Sequence, residues 1–213
     1  MVHRVVRGGV KLYGVIAEDG SIEKAIPFLI PRIVTGEDVE VECRRLNGKN
    51  DFIANFWRTA KEFQFKYPAM HKVLAICDAD RESPDELEEF LTDKARDRLP
   101  GLPLPLVFHV IKKELETWWI ADANTISVLA GVQVNFPGGN VEDSVQDAKE
   151  YLEQPLRQVK TPYTPTLAGL IAQHVNLDVV GSRCPGFVVF MRRVENGNAA
   201  PPERPYRRIS LAR

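Results

Sequence analysis

Apolar positions along the first half of the chain follow two different periods. In some stretches apolar residues form short runs or alternate with polar residues, which predicts β-strands. In the stretches between them, apolar residues recur every three or four positions, which predicts amphipathic helices. The predicted strands are residues 11–18, 39–43, 72–78 and 104–111. The predicted helices are residues 22–33, 51–67 and 84–99.

Strands that alternate with helices in this way indicate an α/β fold. Two neighbouring parallel strands need a crossover connection, and a helix supplies it. We therefore predict a mainly parallel, Rossmann-like sheet flanked by helices over residues 1–123. Two helix starts support this assignment, because residues 19–21 form a turn with an N-cap, and Ser83 caps a helix whose first residue is Pro84.

Beyond residue 122 the strand pattern stops and helical periodicity continues. The predicted helices of this part are residues 141–156, 166–174 and 182–194, with a loop over 132–139. We expect residues 124–195 to form a helical portion packed on the core. Residues 196–213 are rich in Pro, Ala and Arg, which predicts a flexible basic tail.

Composition is that of an ordinary globular protein. Of 213 residues, 44% are hydrophobic and 27% are charged, and no apolar stretch approaches the roughly 18 residues of a membrane span. The N-terminus lacks the apolar core of a signal peptide, so we expect no membrane contact and a cytoplasmic location. Cys43, Cys77 and Cys184 are far apart in sequence and are expected to stay reduced, without a disulfide or zinc site.

Acidic residues stand at the ends of three predicted strands. Glu18 follows the first strand, Asp78 and Asp80 follow the third, and Glu114 and Glu116 follow the fourth. Because the carboxyl ends of parallel strands share one edge of a sheet, we expect these acids to meet in one crevice. Carboxylates packed together repel one another unless a cation lies between them. Hard oxygen ligands favour Mg²⁺ or Mn²⁺, and such an ion polarises a phosphodiester and activates a water.

Each of these residues also has an ordinary structural interpretation. A single acid after a strand, such as Glu18, often caps a helix, and Glu116 fits a surface position on an aromatic-rich helix. Trp118 and Trp119 are expected in the core rather than stacked on bases. Glu23 faces solvent on the first helix, unless the N-terminus of that helix points at the metal, in which case Glu23 becomes a further ligand.

Three of these features resemble the Toprim domain: the strand ending in Glu18, the turn and helix after it, and the later strand ending in Asp78 and Asp80. That domain occurs in DNA topoisomerases, bacterial primases, recombination proteins and the OLD family of nucleases. The resemblance implies that these three acids bind Mg²⁺. Nuclease-type members often have Glu-Gly-x-x-Glu at the first position, whereas this chain has one additional residue between Glu18 and Glu23.

A closer resemblance is to small standalone bacterial proteins of the OLD-nuclease type. These often carry an acidic stretch with a tryptophan after the fourth strand, and this implies that Glu116 is a further metal ligand or orients the water. Pro165 stands where a lysine is expected, so another cation, such as Lys160, would have to take its place. The stretches of this chain that look similar are residues 114–122, 163–169 and 184–190.

The leading hypothesis is a Mg²⁺- or Mn²⁺-dependent Toprim nuclease that hydrolyses phosphodiester bonds of DNA or RNA. Lys112, Lys113 or the arginines of the tail would hold the phosphate backbone. The net charge of −1 provides no overall attraction to a nucleic acid, so binding depends on a local basic patch. By analogy with the OLD nucleases, the protein would act in defence against phage or mobile elements, with a partner ATPase or as a homo-oligomer.

Two other hypotheses stay open. A haloacid-dehalogenase-like phosphatase also uses Asp-x-Asp after a strand, with the first Asp as nucleophile. In that class the motif usually follows the first strand, and a Thr or Val stands two positions after the second Asp, where this chain has Glu82. The remaining hypothesis is a catalytically weak regulatory protein that keeps the acidic site and binds metal or nucleic acid.

Overall fold

The computed structural model describes residues 9–195, which contain one four-stranded sheet. All neighbouring strands pair in parallel, in the order β2-β1-β3-β4, and this confirms the predicted α/β class. The strands are β1 Lys11–Ala17, β2 Val39–Arg45, β3 Lys72–Asp78 and β4 Leu106–Ile111. The helices of this part are α1 Gly20–Ile33, α2 Lys49–Lys66, α3 Pro84–Arg98, α4 Glu116–Ala121, α5 Ala123–Ala130, α6 Val141–Ser144, α7 Ala148–Gln158, α8 Pro165–His174, α9 Leu177–Arg183 and α10 Pro185–Glu195.

Side chains of the strands alternate between the two faces of the sheet and contribute to two cores. Tyr13, Val15 and Ala17 of β1 face one side, and Ile16 faces the other. The first core also includes α1 and the helices of the C-terminal part, whereas the second core holds α2 and α3. A period of two with apolar residues on both sides is that of a strand covered on both faces. The helical C-terminal portion is confirmed, and its helices contribute to the first core.

The strand order places a change of direction between β1 and β3. The chain leaves β1 through α1 to reach β2 on one side, and then crosses back through α2 to reach β3 on the other. Because α1 and α3 lie on opposite faces, the loops after β1 and β3 separate at the carboxyl ends of these strands. In open α/β sheets this is the crevice where ligands bind.

The prediction of one helix over residues 182–194 is wrong. α9 ends one residue before Cys184, and α10 begins at Pro185. Proline has no amide hydrogen and holds the preceding residue away from helical geometry, so Cys184 is extended, with φ −129° and ψ 91°. Both carboxylate oxygens of Glu142 accept the amide hydrogen of Gly186, at 3.0 and 2.9 Å, and so cap the new helix.

The prediction of one helix over residues 141–156 is also wrong. α6 ends at Ser144, Val145 is extended, and α7 begins at Ala148. Val145 is buried in the first core, and its carbonyl oxygen accepts a hydrogen bond from the amino group of Lys113. Because this carbonyl bonds outside the helix, the segment does not continue the helical ladder.

The prediction that Trp118 and Trp119 lie in the core is confirmed in the described residues. Trp118 is 1% exposed and Trp119 is fully buried, so both tryptophans belong to the core. The three cysteines are free. None of the described helices is long and apolar enough to cross a membrane. The predicted basic tail, residues 196–213, lies outside the described residues.

Lys72 fixes the end of α10 against the amino end of β3. Lys72 is 1% exposed, and its amino group donates hydrogen bonds to the carbonyl oxygens of Arg193 at 2.9 Å and Val194 at 3.0 Å. The hydroxyl of Tyr13 also donates to Val194, at 3.2 Å. These bonds satisfy carbonyls that have no partner within the helix. Burial, together with the charge of Lys11, lowers the pKa of Lys72 to about 8.

Replacing Lys72 by methionine should lower the free energy of unfolding by about 2 kcal/mol, because buried carbonyls lose a donor while the apolar stem is kept. Urea unfolding at pH 7, followed by circular dichroism, measures this change. Lys66→Met, at an exposed position of α2, is the control and should change the free energy by less than about 0.5 kcal/mol. Equal stability of the two variants would contradict the anchoring role.

Candidate functional site

Glu18, Asp78 and Glu116 lie at one edge of the sheet, at the carboxyl ends of its strands. Glu18 follows β1 directly, Asp78 is the last residue of β3, and Glu116 is the first residue of α4, after β4. The register pairs Asp78 with Ile111, the last residue of β4, so these strands end side by side. The parallel sheet thus gathers acids that are distant in the sequence.

A hydrogen bond connects the two central strands at this edge. The backbone amide of Asp78 donates to Oε2 of Glu18 at 2.9 Å. The backbone of Glu18 is also fixed, because its amide donates to Ile76 at 3.1 Å and its carbonyl accepts from Gly48 at 3.0 Å. Glu18 is therefore held by β3 on one side and by the start of α2 on the other.

Asp78 is partly buried, and one of its two carboxylate oxygens is out of contact with water. Its Oδ1 atom is buried and has no hydrogen-bond partner in the described part of the chain. Burial raises the pKa of Asp78 well above its usual value, and the charges of Glu116, Glu18, Asp19 and Asp80 raise it further. An unpartnered buried acceptor destabilises the fold, and a cation at Oδ1 would remove that penalty.

Glu116 is 5% exposed and is held by Tyr163. The hydroxyl of Tyr163 is hydrogen-bonded to Glu116 and Ser21, and it accepts the indole hydrogen of Trp119 at 3.1 Å. Burial raises the pKa of Glu116 to about 7, with a further contribution from the charge of Glu114. Burial and the charge of Glu116 likewise raise the pKa of Tyr163 well above its ordinary value. Glu116 is thus a carboxyl group that exchanges its proton near neutral pH.

Lys49, the first residue of α2, brings a positive charge to these acids. Gly48 before it has φ +85°, a left-handed conformation that glycine adopts without strain, and this turns the chain into the helix. The Lys49 amino group donates to the carbonyl oxygen of Ala79 at 3.1 Å, to Glu82 at 3.1 Å and to the carboxylate of Asp80. Burial opposes the charge of Lys49, but the bonds to Asp80 and Glu82 outweigh it and raise its pKa.

Two residues at this edge have left-handed backbones although neither is glycine. Asp80 has φ +53° and Lys113 has φ +65°. The amide of Asp80 donates to the carbonyl oxygen of Lys113 at 2.8 Å, so the loops after β3 and β4 hold each other. Left-handed residues of this kind cluster at functional sites, where the surrounding structure over-determines them.

Glu23 lies in the first turn of α1 and is directed toward β2. It pairs with Lys24 at 3.5 Å. Its charge also contributes, after burial, to raising the pKa of Cys43 in β2 to about 12. Asp19, the N-cap of α1, acts on the acids of the site, because the charge of Asp19 raises the pKa of Asp78.

The three lysines predicted to bind phosphate have other surroundings. Lys112 pairs with Asp143, and Lys113 donates to the carbonyl oxygen of Val145. These contacts tie the loop after β4 to the segment at α6. Lys160 is exposed after α7, with a left-handed backbone at φ +57°.

The residues at this edge fit a divalent cation in their chemistry. Their donors are carboxylate oxygens, and Oδ1 of Asp78 is buried without a partner. No three His, Cys, Asp or Glu side chains within residues 9–195 are placed together as a formed metal site. Glu18 is bonded to an amide and Asp80 to Lys49, so these carboxylates would have to turn toward Asp78 to complete one.

Sequence patterns assign no role at this site to Lys49, Asp19 or Tyr163. Lysine is common and Lys49 lies within a polar turn, so its residue type carries no signal. The position of Lys49 does carry a signal, because the turn at residues 47–49 follows the second strand and leads to the edge where the acids lie. Tyr163 reaches Glu116 only through the packing of the C-terminal part, which no local pattern reports.

No protein-family model, curated protein or solved structure matches this chain. The class of this protein is therefore defined by the geometry of its fold and site alone. The class is an α/β protein with a four-stranded parallel sheet and a carboxylate cluster at the point where its connections diverge.

Glu116→Gln should raise the free energy of unfolding at pH 7 but not at pH 4. The pKa of Glu116 is about 7 in the fold against 4.5 for an ordinary glutamate. The folded protein therefore binds more protons than the unfolded chain between these values, and its stability falls as pH rises through them. Glutamine does not titrate, so the variant should gain on the order of 2 kcal/mol at pH 7 relative to pH 4.

Urea unfolding in EDTA at both pH values measures this difference. Glu89→Gln, at an exposed position of α3, is the matched control and should show the wild-type dependence on pH. A Glu116→Gln variant with the same pH dependence as wild type would show that this carboxyl group titrates normally.

Proposed function

We propose that the protein is a Mg²⁺-dependent Toprim nuclease that hydrolyses phosphodiester bonds of DNA or RNA, with Mn²⁺ able to replace Mg²⁺. The observation that carries this proposal is the buried, unpartnered Oδ1 of Asp78, with the charges of Glu18 and Glu116 beside it. Acids that are this close and this buried favour a bound cation. Their place at the carboxyl edge of a parallel sheet is where such folds bind ligands.

The acids would divide the work between them. Glu18, Asp78 and Asp80 would hold the ion, and Glu116 would be a further ligand or orient the water. A bound Mg²⁺ would polarise the phosphate and make a nearby water more acidic. A pKa of about 7 suits Glu116 to take up a proton at neutral pH. Tyr163 fixes the direction of that carboxyl group through its hydrogen bond.

Lys49 is the cation that we assign to the phosphate. The Toprim resemblance expects a lysine where this chain has Pro165, and Pro165 instead packs at the start of α1, where a Cβ on Gly20 would lie 3.0 Å from its ring. The amino group of Lys49 is bonded to Asp80. If Asp80 turns to the ion, this amino group loses one of its two acidic partners, keeps Glu82, and can bind an incoming phosphate oxygen in place of Asp80.

The arrangement of the acids supports a Toprim site over a haloacid-dehalogenase-like phosphatase. The Asp-x-Asp motif stands at the end of the third strand, and the amide of its first residue, Asp78, donates to a second acid, Glu18, the residue directly after β1. A nucleophilic carboxylate has to be ionised and open to attack, whereas burial raises the pKa of Asp78.

The biological setting follows from analogy with the OLD nucleases alone. We propose a cytoplasmic protein that acts on the nucleic acid of phage or other mobile elements. It would work with a partner ATPase or as a homo-oligomer.

A second candidate function is a regulatory protein that binds metal or nucleic acid with little turnover. The observation that favours it is the absence, within residues 9–195, of three metal-ligand side chains already placed together. Such a protein would bind Mn²⁺ at Asp78 without cleaving any nucleic acid.

Asp78→Asn and Glu18→Gln should each reduce Mg²⁺-dependent cleavage of plasmid, single-stranded DNA or RNA by at least about 100-fold, because each removes a charge that holds the ion. Both substitutions keep the size of the side chain. Initial rates with Mg²⁺, Mn²⁺ and EDTA measure the effect. Glu23→Gln is the matched control and should keep the wild-type rate, since Glu23 is directed toward β2.

The same assay separates the alternatives. Cleavage that survives in both acid variants would reveal a contaminating nuclease and reject the site. Turnover of a phosphate monoester, blocked by phosphate mimics, would favour the phosphatase. Mn²⁺ binding that is lost in Asp78→Asn, with no turnover of any substrate by wild type, would favour the regulatory protein.

Lys49→Met should lower the cleavage rate by about 100-fold, because removal of one hydrogen-bond donor that stabilises negative charge in a transition state has an effect of this size. Lys160→Met should leave the rate within about twofold, because Lys160 is exposed in the turn after α7, whereas Lys49 is bonded to Asp80. Single-turnover rates at saturating metal compare the two. A larger loss in Lys160→Met would instead assign the phosphate to Lys160.

A further inference from the structure

The outer surface of α2 carries a tryptophan surrounded by cations. The guanidinium of Arg58 lies 5.0 Å, the amino group of Lys61 5.2 Å and the guanidinium of Arg98 5.7 Å from the centre of the Trp57 ring. Arg98 comes from the last turn of α3, so the group joins two neighbouring helices. We call these four residues the Trp57 cluster.

The three cations of the Trp57 cluster have no acidic partners within residues 9–195. All three are exposed, and within the described residues none forms an ion pair with a carboxylate. Another exposed arginine, Arg157, shows the contrast, since it pairs with Glu150 at 3.0 Å and with Glu153 at 2.7 Å. Exposed cations that form no ion pair can bind the phosphates of a polyanion.

The indole of Trp57 has a fixed orientation. Its N–H donates to the carbonyl oxygen of Ala54 at 2.9 Å, and the half-buried ring packs against the second core. Phe65, farther along the same helix, is 92% exposed. A ring that is already oriented stacks on a nucleic-acid base with little loss of conformational entropy, and such stacking does not depend on the base sequence.

α2 connects the Trp57 cluster to the candidate site. Lys49 bonds to Asp80 at the start of this helix. Trp57 follows Lys49 by eight residues, and Phe65 follows Trp57 by eight more, which corresponds to about 12 Å of helix in each interval. A strand stacked on the two rings would therefore lie within a few nucleotides of the acids.

We propose that the Trp57 cluster binds single-stranded nucleic acid, with Trp57 stacked on a base and Arg58, Lys61 and Arg98 bound to phosphates. The cations are long and exposed, so they can turn from the ring to the backbone of the strand. Paired bases in a duplex hide their faces from the ring, so stacking selects a single strand. The inference rests on the proposed function in taking a nucleic acid as the partner.

Binding of a labelled oligothymidylate of about 20 nucleotides to the full-length protein, followed by fluorescence anisotropy in EDTA, tests this proposal. Trp57→Ala should weaken binding about tenfold, whereas Trp57→Phe should keep most of the affinity because a ring remains. Arg58→Gln combined with Lys61→Gln should reduce the slope of log K against log salt by about 1.4, the value for two phosphate contacts.

Lys24→Gln combined with Arg157→Gln is the matched control. It removes the same charge from α1 and α7, on the other side of the sheet, and should change the affinity by less than about twofold.

Equal weakening by the cluster pair and the control pair would overturn the proposal, as would an affinity that Trp57→Ala leaves unchanged. Duplex DNA or polyglutamate that binds as tightly as oligothymidylate would also overturn it. A protein that binds oligothymidylate through the cluster and cleaves no nucleic acid would reject the nuclease proposal alone. The binding proposal and the nuclease proposal can therefore be rejected independently of each other.

Discussion

The hydrogen bond from the amide of Asp78 to the carboxylate of Glu18 joins β1 and β3 where the connections of the sheet diverge. The bond requires two parallel strands that end at the same level. It commits one oxygen of Glu18 to the backbone of β3 and sets Asp78 beside a second acid. Glu116 approaches from the loop after β4, and Lys49 approaches from the start of α2. The rest of the site is arranged around this one contact.

The site combines features that weaken a fold with features that suit chemistry. Burial raises the pKa values of Glu18, Asp78 and Glu116, so the folded chain holds protons that the unfolded chain would release. Neighbouring contacts limit the resulting strain, because Lys49 supplies positive charge and Tyr163 supplies a hydroxyl to Glu116. Poised groups of this kind persist where a site is kept at some expense of stability.

The fold follows from the sequence where local patterns are strong. The runs at β1, β3 and β4 have the length and composition of covered strands. The turn at residues 19–21 and the cap Ser83 begin helices as expected, and in the first case the cap is Asp19. Predictions from local patterns fail where contacts between distant residues determine the backbone conformation. Val145 is an example, because its carbonyl oxygen bonds to Lys113. At Cys184 the break between two helices is predictable from the local sequence, because Pro185 keeps the residue before it out of helical geometry.

The residues of the candidate site also fall into those that the sequence predicts and those that it does not. Glu18, Asp78 and Glu116 are recognisable because they stand at strand ends, and a parallel sheet has only one carboxyl edge. Lys49 and Tyr163 are not recognisable, because the first begins a helix and the second lies beyond α7 in the sequence. The orphan oxygen of Asp78 is a property of packing, and no sequence pattern reports it.

The anchor at Lys72 has a consequence for which parts of the chain can share a substrate. It fixes α10 at the amino end of β3, while the acids lie at the carboxyl end. β3 has seven residues, so the two ends are about 20 Å apart. The end of α10 therefore lies at the far end of the sheet from the acids. A nucleic-acid strand bound at the acids would thus be about the length of β3 away from α10, whereas Lys49 and Trp57 are joined to the acids by a single helix, α2.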